Sequence, residues 1–273
     1  MQQHPLKLKP VSPRVALPLL DKDAIIADAP DDETLKDKTE DLVKRIAQLQ
    51  RQFYADGRFA LLVVLQGRDA SGKDGTIRKV FTGVNPQGIQ VTSFKVPSDE
   101  ERSHDFLWRV HQRVPARGMI GIFNRSHYED VVVTRVNGMV PKAVWEARFD
   151  QINAFEKHLA ANGVRILKFF LHISRAEQME RLEKRLSNSE KNWKFNPGDL
   201  VERGKWKEYT AAYRDAIRRC STREAPWYIV PADNKKVRNF LIARTIADTL
   251  SSLKLRWPKA DADLIAKGLD SGQ

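Results

Sequence analysis

The chain carries a glycine-rich loop: Gly67-Arg68-Asp69-Ala70-Ser71-Gly72-Lys73. An apolar run at 59–65 precedes it, and a stretch with helical spacing begins near Gly72. Glycines let backbone N–H groups turn inward, the following helix offers its N-terminus to an anion, and Lys73 adds a positive charge. The alternative is a tight turn whose lysine faces solvent. The strand, loop and helix in this order favour a phosphate-binding loop and phosphoryl-transfer chemistry.

The loop departs from its usual form at two carboxylates. Asp74 follows Lys73 where a Ser or Thr would normally bind Mg²⁺, and Asp69 lies inside the loop. Phosphates would repel the Asp69 carboxylate unless a divalent cation lay between them. We therefore predict Asp69 as the main ligand of a divalent cation.

Two further basic residues follow predicted strands. Phosphoryl transfer depends on positioning and on positive charge around the moving group. Arg125 lies two residues after the run 119–123, separated from it by Asn124, and its guanidinium could bind a phosphoryl oxygen in bidentate fashion. The alternative for Arg125 is an ion pair with Glu129 or Asp130. Lys95 follows the alternating run 89–94 and adds a second positive charge.

A charged helix over 175–186 and the segment after it resemble a lid. Arg181 and Arg185 are four residues apart, so a helix would place both on one face. The alternative is a solvated face with ion pairs to neighbouring glutamates. The segment 188–198 adds basic and aromatic residues: Lys191, Trp193, Lys194 and Phe195. This composition predicts a mobile lid that closes on phosphates and excludes water.

Other catalytic chemistries find little support in the sequence. His104 and His127 lack the paired spacing of a zinc site, and Cys220 has no Cys or His neighbour at ligand spacing. Ser71 does not lie in the G-x-S-x-G pattern of acyl-transfer enzymes. Zinc and acyl-transfer chemistry are therefore not expected.

Alternating strands and helices must position these residues. The predicted strands are 59–65, 89–94, 119–123, 164–173 and 227–230. The predicted helices are 34–53, 72–82, one containing Phe106 to Val114, 142–161, 175–186, 200–219 and 235–253. This order predicts an α/β fold, a three-layer sandwich around a parallel sheet. Ligands bind beyond the carboxyl ends of such strands, so Lys95, residues 124–126 and Asp233 should share one rim with the loop.

Composition sets the broad class of protein. The 273 residues suffice for one large core, and the single cysteine cannot form an internal disulfide. No apolar stretch reaches the length of a membrane span, and no signal-peptide core is visible, so we expect a cytoplasmic protein without a membrane partner. Lys and Arg number 47 against 35 Asp and Glu, a net charge of +12. This charge favours a polyanionic partner, nucleic acid or inorganic, although a merely basic surface would also account for it.

Several ordered segments together resemble the polyphosphate kinase 2 family, within it the group called class III. The resemblance covers nearly the whole chain and is carried by residues 66–75, 94–98, 104–109, 123–131, 193–199 and 225–228. It implies an α/β/α sandwich like that of thymidylate kinase, with a P-loop and a helical lid. It also implies Mg²⁺-dependent transfer of a terminal phosphoryl group between inorganic polyphosphate and AMP or ADP, giving ADP or ATP.

The resemblance also assigns residues by position. Asp69 matches the metal-binding loop aspartate, Lys73 the phosphate-binding lysine, and Arg125 the arginine of the second nucleotide-binding motif; Arg181 and Arg185 match the lid arginines. Asn124 stands where other groups of the family have Asp, so Glu129 or Asp130 could replace that second metal carboxylate. The predicted site residues are: catalytic, Asp69, Lys73 and Arg125; phosphate-binding, Gly67, Arg68, Ala70, Ser71, Gly72, Asp74, Lys95, Arg181 and Arg185; nucleotide-binding, Asn124, Glu129 and Lys194; metal-binding, Asp69 and Asp130.

The expected organisation is an N-terminal arm at 1–32, a kinase domain at 33–257 with its lid at about 178–205, and a C-terminal tail at 258–273. The family suggests a homo-oligomer, a dimer or a tetramer, and no nucleic-acid partner. Two other functions stay open at this point. One is an ATP-dependent nucleoside monophosphate kinase, because that fold shares the loop, sheet and lid. The other is an RNA-binding protein, suggested by the net charge and by the segment 193–195.

Overall fold

The computed structural model describes residues 6–13, 15–190, 192–194 and 196–259. The strands are β1 (Ala60–Gln66), β2 (Ile89–Ser93), β3 (Ile120–Asn124), β4 (Val164–His172) and β5 (Trp227–Pro231). The helices are α1 (Asp32–Asp56), α2 (Lys73–Val80), α3 (Asp99–Ser103), α4 (Trp108–His111), α5 (Glu129–Val136), α6 (Lys142–Ala161), α7 (Arg175–Leu186), α8 (Gly198–Gly204), α9 (Trp206–Cys220) and α10 (Lys235–Ser252). Short 3₁₀ helices span Asp21–Ala24, Pro86–Gly88 and Asn192–Lys194.

The five strands form one parallel sheet in the order β2-β3-β1-β4-β5. Strand β1 pairs with β3 on one side, from Leu61 with Ile120 to Leu65 with Asn124. On the other side it pairs with β4, from Ala60 with Val164 to Gln66 with Phe170. Every residue of β1 is buried, as expected for a central parallel strand covered on both faces. The predicted parallel α/β fold is confirmed.

Successive residues of β1 point into two different apolar cores. Leu61, Val63 and Leu65 pack with residues of α1 and α10. Leu62 and Val64 face the opposite side, where their cluster includes Leu159 of α6 and Val110 of α4. Helices α5, α6 and α9 build a further cluster. The sheet therefore lies between two helical layers, and the predicted three-layer sandwich is confirmed.

Three local predictions differ from the structure. The helix predicted around 106–114 is reduced to the four residues of α4, and α3 forms separately before it. Pro115 follows Val114 and disfavours helical backbone at the residue before it. The helix predicted at 200–219 is divided between α8 and α9 at Lys205, next to Gly204, which weakens a helix interior. Helix α5, whose first turn carries Glu129 and Asp130, was not predicted as a separate element.

The described part of the N-terminal arm lies against the last strand. The Val11 N–H donates to the Trp227 carbonyl at 2.8 Å, and the Ser221 hydroxyl donates to the Val11 carbonyl at 2.6 Å. Residues 1–5 of this arm and 260–273 of the predicted C-terminal tail lie outside the described residues. Among the helices that are described, none is both long enough and apolar enough to cross a membrane.

Candidate active site

The glycine-rich loop connects the buried end of β1 to the first turn of α2. Gly67 has φ of 151° and Gly72 has φ of 101°. A Cβ atom at Gly67 would lie 2.8 Å from the Leu171 carbonyl oxygen, and one at Gly72 would overlap the Arg238 guanidinium. Both positions therefore need glycine for close approach as well as for backbone conformation. The local structure supports the sequence interpretation of this loop.

Lys73 folds back over the loop. Its Nζ donates to the carbonyl oxygens of Gly67 at 2.8 Å and Arg68 at 3.2 Å. The side chain is buried, and burial together with the positive charge of Arg125 lowers the pKa of the Lys73 ammonium. The lysine therefore has a fixed position at the loop, and its charge is less strongly retained than that of a surface lysine.

Arg125 lies opposite the loop at the end of β3. Its φ of 63° is unusual for a residue with a side chain, and its N–H donates to the Leu65 carbonyl at 3.0 Å. Its Nη2 donates to Asp69 Oδ1 at 2.6 Å and its Nη1 to Glu129 Oε2 at 3.1 Å. Burial alone would lower the pKa of Arg125, but Glu129 and Asp69 raise it above its usual value. The ion pair with Glu129 that was considered from sequence is present. The further contact with Asp69, which the sequence did not indicate, joins Arg125 to the loop.

Asn124 and Asp74 form a second link between β3 and the loop helix. Asn124 Nδ2 donates to Asp74 Oδ1 at 2.8 Å. Asp74 lies in the first turn of α2, where a carboxylate also interacts favourably with the helix dipole. The amide at position 124 thus contacts a loop carboxylate, a partner that sequence spacing did not indicate.

The two arginines of α7 have different surroundings. Arg181 Nη1 donates to the carbonyls of Ala70 and Ser71, both at 3.0 Å, and its Nη2 donates to those of Ala232 and Asp233, both at 2.7 Å. Its Nε donates to Glu177 at 2.7 Å. These bonds use all the N–H groups of the guanidinium, so Arg181 supports the loop backbone here. This geometry favours a positioning role over the predicted phosphate contact.

Arg185 lies one helical turn further along α7 and contacts α8. Its Nη1 donates to Asp199 Oδ2 at 3.0 Å, in the first turn of α8. Burial and the nearby Asp69 raise the pKa of Asp199. Asp199 and Asp69 also line the same cavity, so Arg185 and its partner lie near the loop.

A cavity of about 110 Å³ opens beside the loop. The loop side contributes Gly67, Arg68 and Asp69, and β3 and α5 contribute Arg125 and Glu129. Several lining residues were not predicted from sequence: Val133, Asn137, Gln178, Asp199, Glu202, Arg203, Trp206, Tyr209 and Tyr213. The Arg68 guanidinium stacks 3.9 Å above the Trp206 ring, which links the loop to the start of α9. The cavity thus has aromatic, amide and charged walls.

Asp69 is the site's most suitable carboxylate for a divalent cation. Its side chain is 29% exposed, and Glu129 and Asp199 line the same cavity. The described residues contain no group of three or more His, Cys, Asp and Glu able to hold a metal by themselves. Mg²⁺ commonly uses one or two carboxylates and takes its other ligands from water and substrate phosphates. The residues present therefore fit Mg²⁺ bound together with a phosphate substrate.

Asp130 faces a different set of groups. Its carboxylate oxygens lie 3.8 Å from Arg148 and 4.0 Å from Arg109, and burial raises its pKa. This environment favours a buried ion-pair role, so we leave Asp130 out of the proposed metal ligands. Lys95 has an exposed side chain, and its carbonyl accepts a hydrogen bond from Arg109 at 2.9 Å. The Lys194 backbone lies in a 3₁₀ helix, but its side chain is outside the described part of the chain.

A parallel α/β sheet with a phosphate-binding loop after its central strand, and cations and carboxylates collected at that loop, defines a P-loop phosphotransferase. A model of the polyphosphate kinase 2 family matches residues 29–257. The chain belongs to this family and is therefore a polyphosphate kinase-type phosphotransferase.

Individual relatives agree with this assignment. The chain is 52% identical over 220 residues to an AMP/ADP-polyphosphate phosphotransferase of Meiothermus ruber, covering 81% of this chain and 82% of the relative. It is 46% identical over 229 residues to an ADP-polyphosphate phosphotransferase of Rhodopseudomonas palustris, covering 80% of this chain and 79% of the relative. The crystal structure of polyphosphate kinase 2 from Arthrobacter aurescens TC1 superposes with a TM-score of 0.90 at 40% identity, covering 94% of this chain and 93% of the other.

Proposed function

We propose that this protein transfers a terminal phosphoryl group reversibly between inorganic polyphosphate and AMP or ADP, giving ADP or ATP, with Mg²⁺ as cofactor. The observation that carries the proposal is the convergence of Lys73, Arg125 and Asp69 at the loop of a polyphosphate kinase 2 family member. The Meiothermus ruber relative, named for both AMP and ADP, supports the choice of acceptors. Mn²⁺ is the alternative metal, because oxygen ligands suit it as well.

The residues divide the work of phosphoryl transfer between binding and charge neutralisation. Lys73 and the loop N–H groups hold phosphate oxygens, as the glycine-rich loop geometry favours. Arg125 orients the transferred group through its planar guanidinium and neutralises charge that develops on its oxygens. Asp69 would hold the divalent cation, which when bound would supply positive charge to stabilise phosphate oxygens. Arg181 keeps the loop in position, while Arg185 and Asp199 bring the lid towards it.

The reaction as proposed needs no general base. The attacking nucleotide phosphate oxygen is already ionised near neutral pH, because the second pKa of a phosphate monoester is about 6. In-line attack on the terminal phosphorus then depends on alignment and on cations. His127, the histidine nearest in sequence to Arg125, is fully buried and lies 3.2 Å from Glu156. Its environment agrees with a structural role.

The residues that line the cavity beside the loop support a contact with the nucleoside part of the acceptor. Trp206, Tyr209 and Tyr213 offer ring surfaces for a base, and Asn137 offers an amide. Glu129 lines this cavity beside Arg125, a suitable position for a contact to ribose or phosphate. Aromatic walls with a few polar groups are typical of small-molecule sites.

Incubation of the protein with AMP, long-chain polyphosphate and Mg²⁺, in the absence of ATP, tests the proposal. Chromatography of the nucleotides should show ADP first and ATP later, and ADP as the starting acceptor should give ATP directly. If ADP does not form in this mixture while ATP supports phosphorylation of AMP, the protein is an ATP-dependent nucleoside monophosphate kinase. Lys73→Ala serves as the control for transfer by the loop.

Three sequence predictions about partners and location stay predictions. The absence of a nucleic-acid partner is tested by salt-dependent binding of single-stranded RNA compared with polyphosphate, again with Lys73→Ala. RNA binding that is independent of Lys73 would contradict it. Light scattering after gel filtration tests the expected dimer or tetramer, and cell fractionation tests the cytoplasmic location.

A further inference from the structure

A fully buried ion pair lies behind the active site. Lys168 in the middle of β4 is 0% exposed and Glu156 of α6 is 1% exposed, and their side chains form a direct salt bridge. The ammonium also donates to the Tyr128 hydroxyl and to the Cys220 carbonyl, both at 2.7 Å. These three acceptors match the three N–H groups of a lysine.

Glu156 collects hydrogen bonds from the segment that follows Arg125. The Tyr128 hydroxyl donates to Glu156 Oε1 at 2.9 Å, and His127 Nε2 lies 3.2 Å from the same oxygen. Burial alone would raise the pKa of Glu156, but Lys168 and His127 lower it, so the carboxyl remains ionised. The ion pair therefore anchors both of these neighbouring side chains.

Ser126 completes the connection to Arg125 and to the loop. Its hydroxyl accepts a hydrogen bond from Gln66 Nε2 at 3.1 Å and from the Tyr128 N–H at 3.2 Å. Gln66 is the last residue of β1, directly before the glycine-rich loop. Residues 126–128 are thus fixed from two sides, by the end of β1 and by the buried pair.

Arg125 needs such support because of its backbone conformation. A residue with a side chain at φ of 63° is in an uncommon region, which persists where the surroundings determine it. A buried ion pair is also a costly way to stabilise a fold, since apolar residues of similar size often serve as well. The presence of the pair beside residues 126–128 is better explained by a role in positioning these residues than by a contribution to the stability of the fold.

We propose that Lys168 and Glu156 are positioning residues that hold Arg125 in its catalytic orientation through residues 126–128. The effect passes along the chain from His127 and Tyr128 to Arg125, whose guanidinium contacts Asp69 and Glu129. The proposal rests on the catalytic role of Arg125 in the proposed function.

The test replaces the pair by two apolar residues, Lys168→Met with Glu156→Met, which leaves no unpaired buried charge. The expected result is a melting temperature close to that of the wild type, with kcat lowered about 10- to 100-fold and KM for AMP nearly unchanged, as for a misplaced catalytic group. The control is a solvent-accessible Lys–Glu pair of α6, the helix that carries Glu156: Lys142 and Glu146, whose side chains are 3.7 Å apart. Lys142→Met with Glu146→Met should leave both constants unchanged.

Combining the Met pair with Arg125→Ala distinguishes an effect on the orientation of Arg125 from a general effect on the structure. In Arg125→Ala the same Met pair should change the residual kcat by less than about twofold, because there is no guanidinium left to orient. An equal loss in both backgrounds, or no loss in either, would overturn the proposal. If the Met pair does not fold, Tyr128→Phe takes its place in the cycle, since it removes only the hydroxyl that bridges Lys168 and Glu156.

A crystal structure provides a readout that does not depend on the substrates. In the Met pair, or in Tyr128→Phe, the Arg125 guanidinium should leave its 2.6 Å contact with Asp69. An unchanged contact would contradict the proposal. If the wild type fails to use polyphosphate, the proposed function is lost, whereas this structural comparison still decides whether the buried pair positions Arg125.

Discussion

Arg125 and Asp69 form an ion pair across the active site, in which Arg125 Nη2 donates to Asp69 Oδ1 at 2.6 Å. Asp69 belongs to the loop after β1 and Arg125 to the end of β3, so the contact joins two elements of the sheet rim. The arginine proposed to bind the transferred phosphoryl group thus orients the carboxylate proposed to bind Mg²⁺. A substitution at either residue should therefore alter the position of the other side chain.

Asp69→Asn removes the charge of the loop carboxylate but keeps an oxygen that can accept from Arg125. We expect turnover to fall by at least about 100-fold, because the divalent cation that Asp69 would hold no longer stabilises charge at the reacting group. The fold should persist. Asp69→Ala should abolish Mg²⁺-dependent transfer. The measurement is kcat against Mg²⁺ concentration, together with a circular dichroism spectrum. Asp99→Asn, at a side chain that is 98% exposed, is the control. Near-normal turnover with a native spectrum would refute the assignment of Asp69.

Arg125→Lys keeps the positive charge but loses the planar guanidinium. A lysine cannot reproduce the paired contacts to Asp69 at 2.6 Å and Glu129 at 3.1 Å. We expect kcat/KM to fall about 100-fold while the melting temperature changes little. Steady-state kinetics with AMP and polyphosphate provide the check, and Arg113→Lys at an exposed position is the matched substitution. Similar kinetics for both variants would leave Arg125 with a simple charge role.

Arg181 and Arg185 should respond differently to alanine. Arg181→Ala leaves carbonyls of the loop and of the segment after β5 without their donor, so we expect a loss of about 2–4 kcal/mol in the free energy of unfolding. Arg185→Ala should instead raise KM for polyphosphate about tenfold, because it removes a partly buried cation whose partner Asp199 lines the cavity beside the loop. Urea denaturation and initial rates distinguish these results. Both substitutions together should impair turnover, and unchanged kinetics would show that neither arginine contributes to phosphoryl transfer.

Arg181 and Arg185 lie on a helix that the sequence predicted, but their contacts could not be predicted from the sequence. The spacing of apolar residues predicted α6 and α7 with the observed bounds, Lys142–Ala161 and Arg175–Leu186, because regular periodicity is a local property. The same spacing placed Arg181 on a helix face but contained no information about the carbonyls that it meets. Trp206 escaped prediction for the same reason, since its contact with Arg68 spans 138 residues of sequence. Lys168, a charged residue inside an apolar strand, was the one signal that could have revealed the buried pair.

Asp56 should make stability depend on acid pH. It ends α1 and accepts hydrogen bonds from Arg58 Nε at 2.6 Å and from the Arg256 N–H at 2.6 Å. The contact with Arg58 lowers the pKa of Asp56 to about 2. The stabilisation is therefore fully present above the unfolded-state pKa of about 3.9 and is lost as the pH falls through about 2.

Asp56→Asn tests this dependence. We expect it to lower the free energy of unfolding by about 1 kcal/mol at pH 7, since the partner Arg58 is partly exposed and solvent weakens the pair. The difference between the two proteins should shrink as the pH is lowered below about 3.9. Thermal unfolding at a series of pH values measures it. A difference that is constant from pH 7 down to pH 3 would mean that the carboxylate charge contributes nothing.

Lys73 should limit activity on the alkaline side. Burial and the neighbouring Arg125 lower the pKa of its ammonium, and loss of that proton would remove a cation from the phosphate-binding loop. We therefore expect kcat/KM to decline at a pH below the usual lysine pKa of about 10.4. Bound phosphates should raise the same pKa, so the decline in kcat should begin at a higher pH than the decline in kcat/KM. Lys73→Arg keeps the charge at all accessible pH values, so its residual activity should lack the alkaline decline. An identical alkaline limb in Lys73→Arg would assign the titration to another group, and equal limbs in kcat and kcat/KM would show that Lys73 does not respond to bound phosphate.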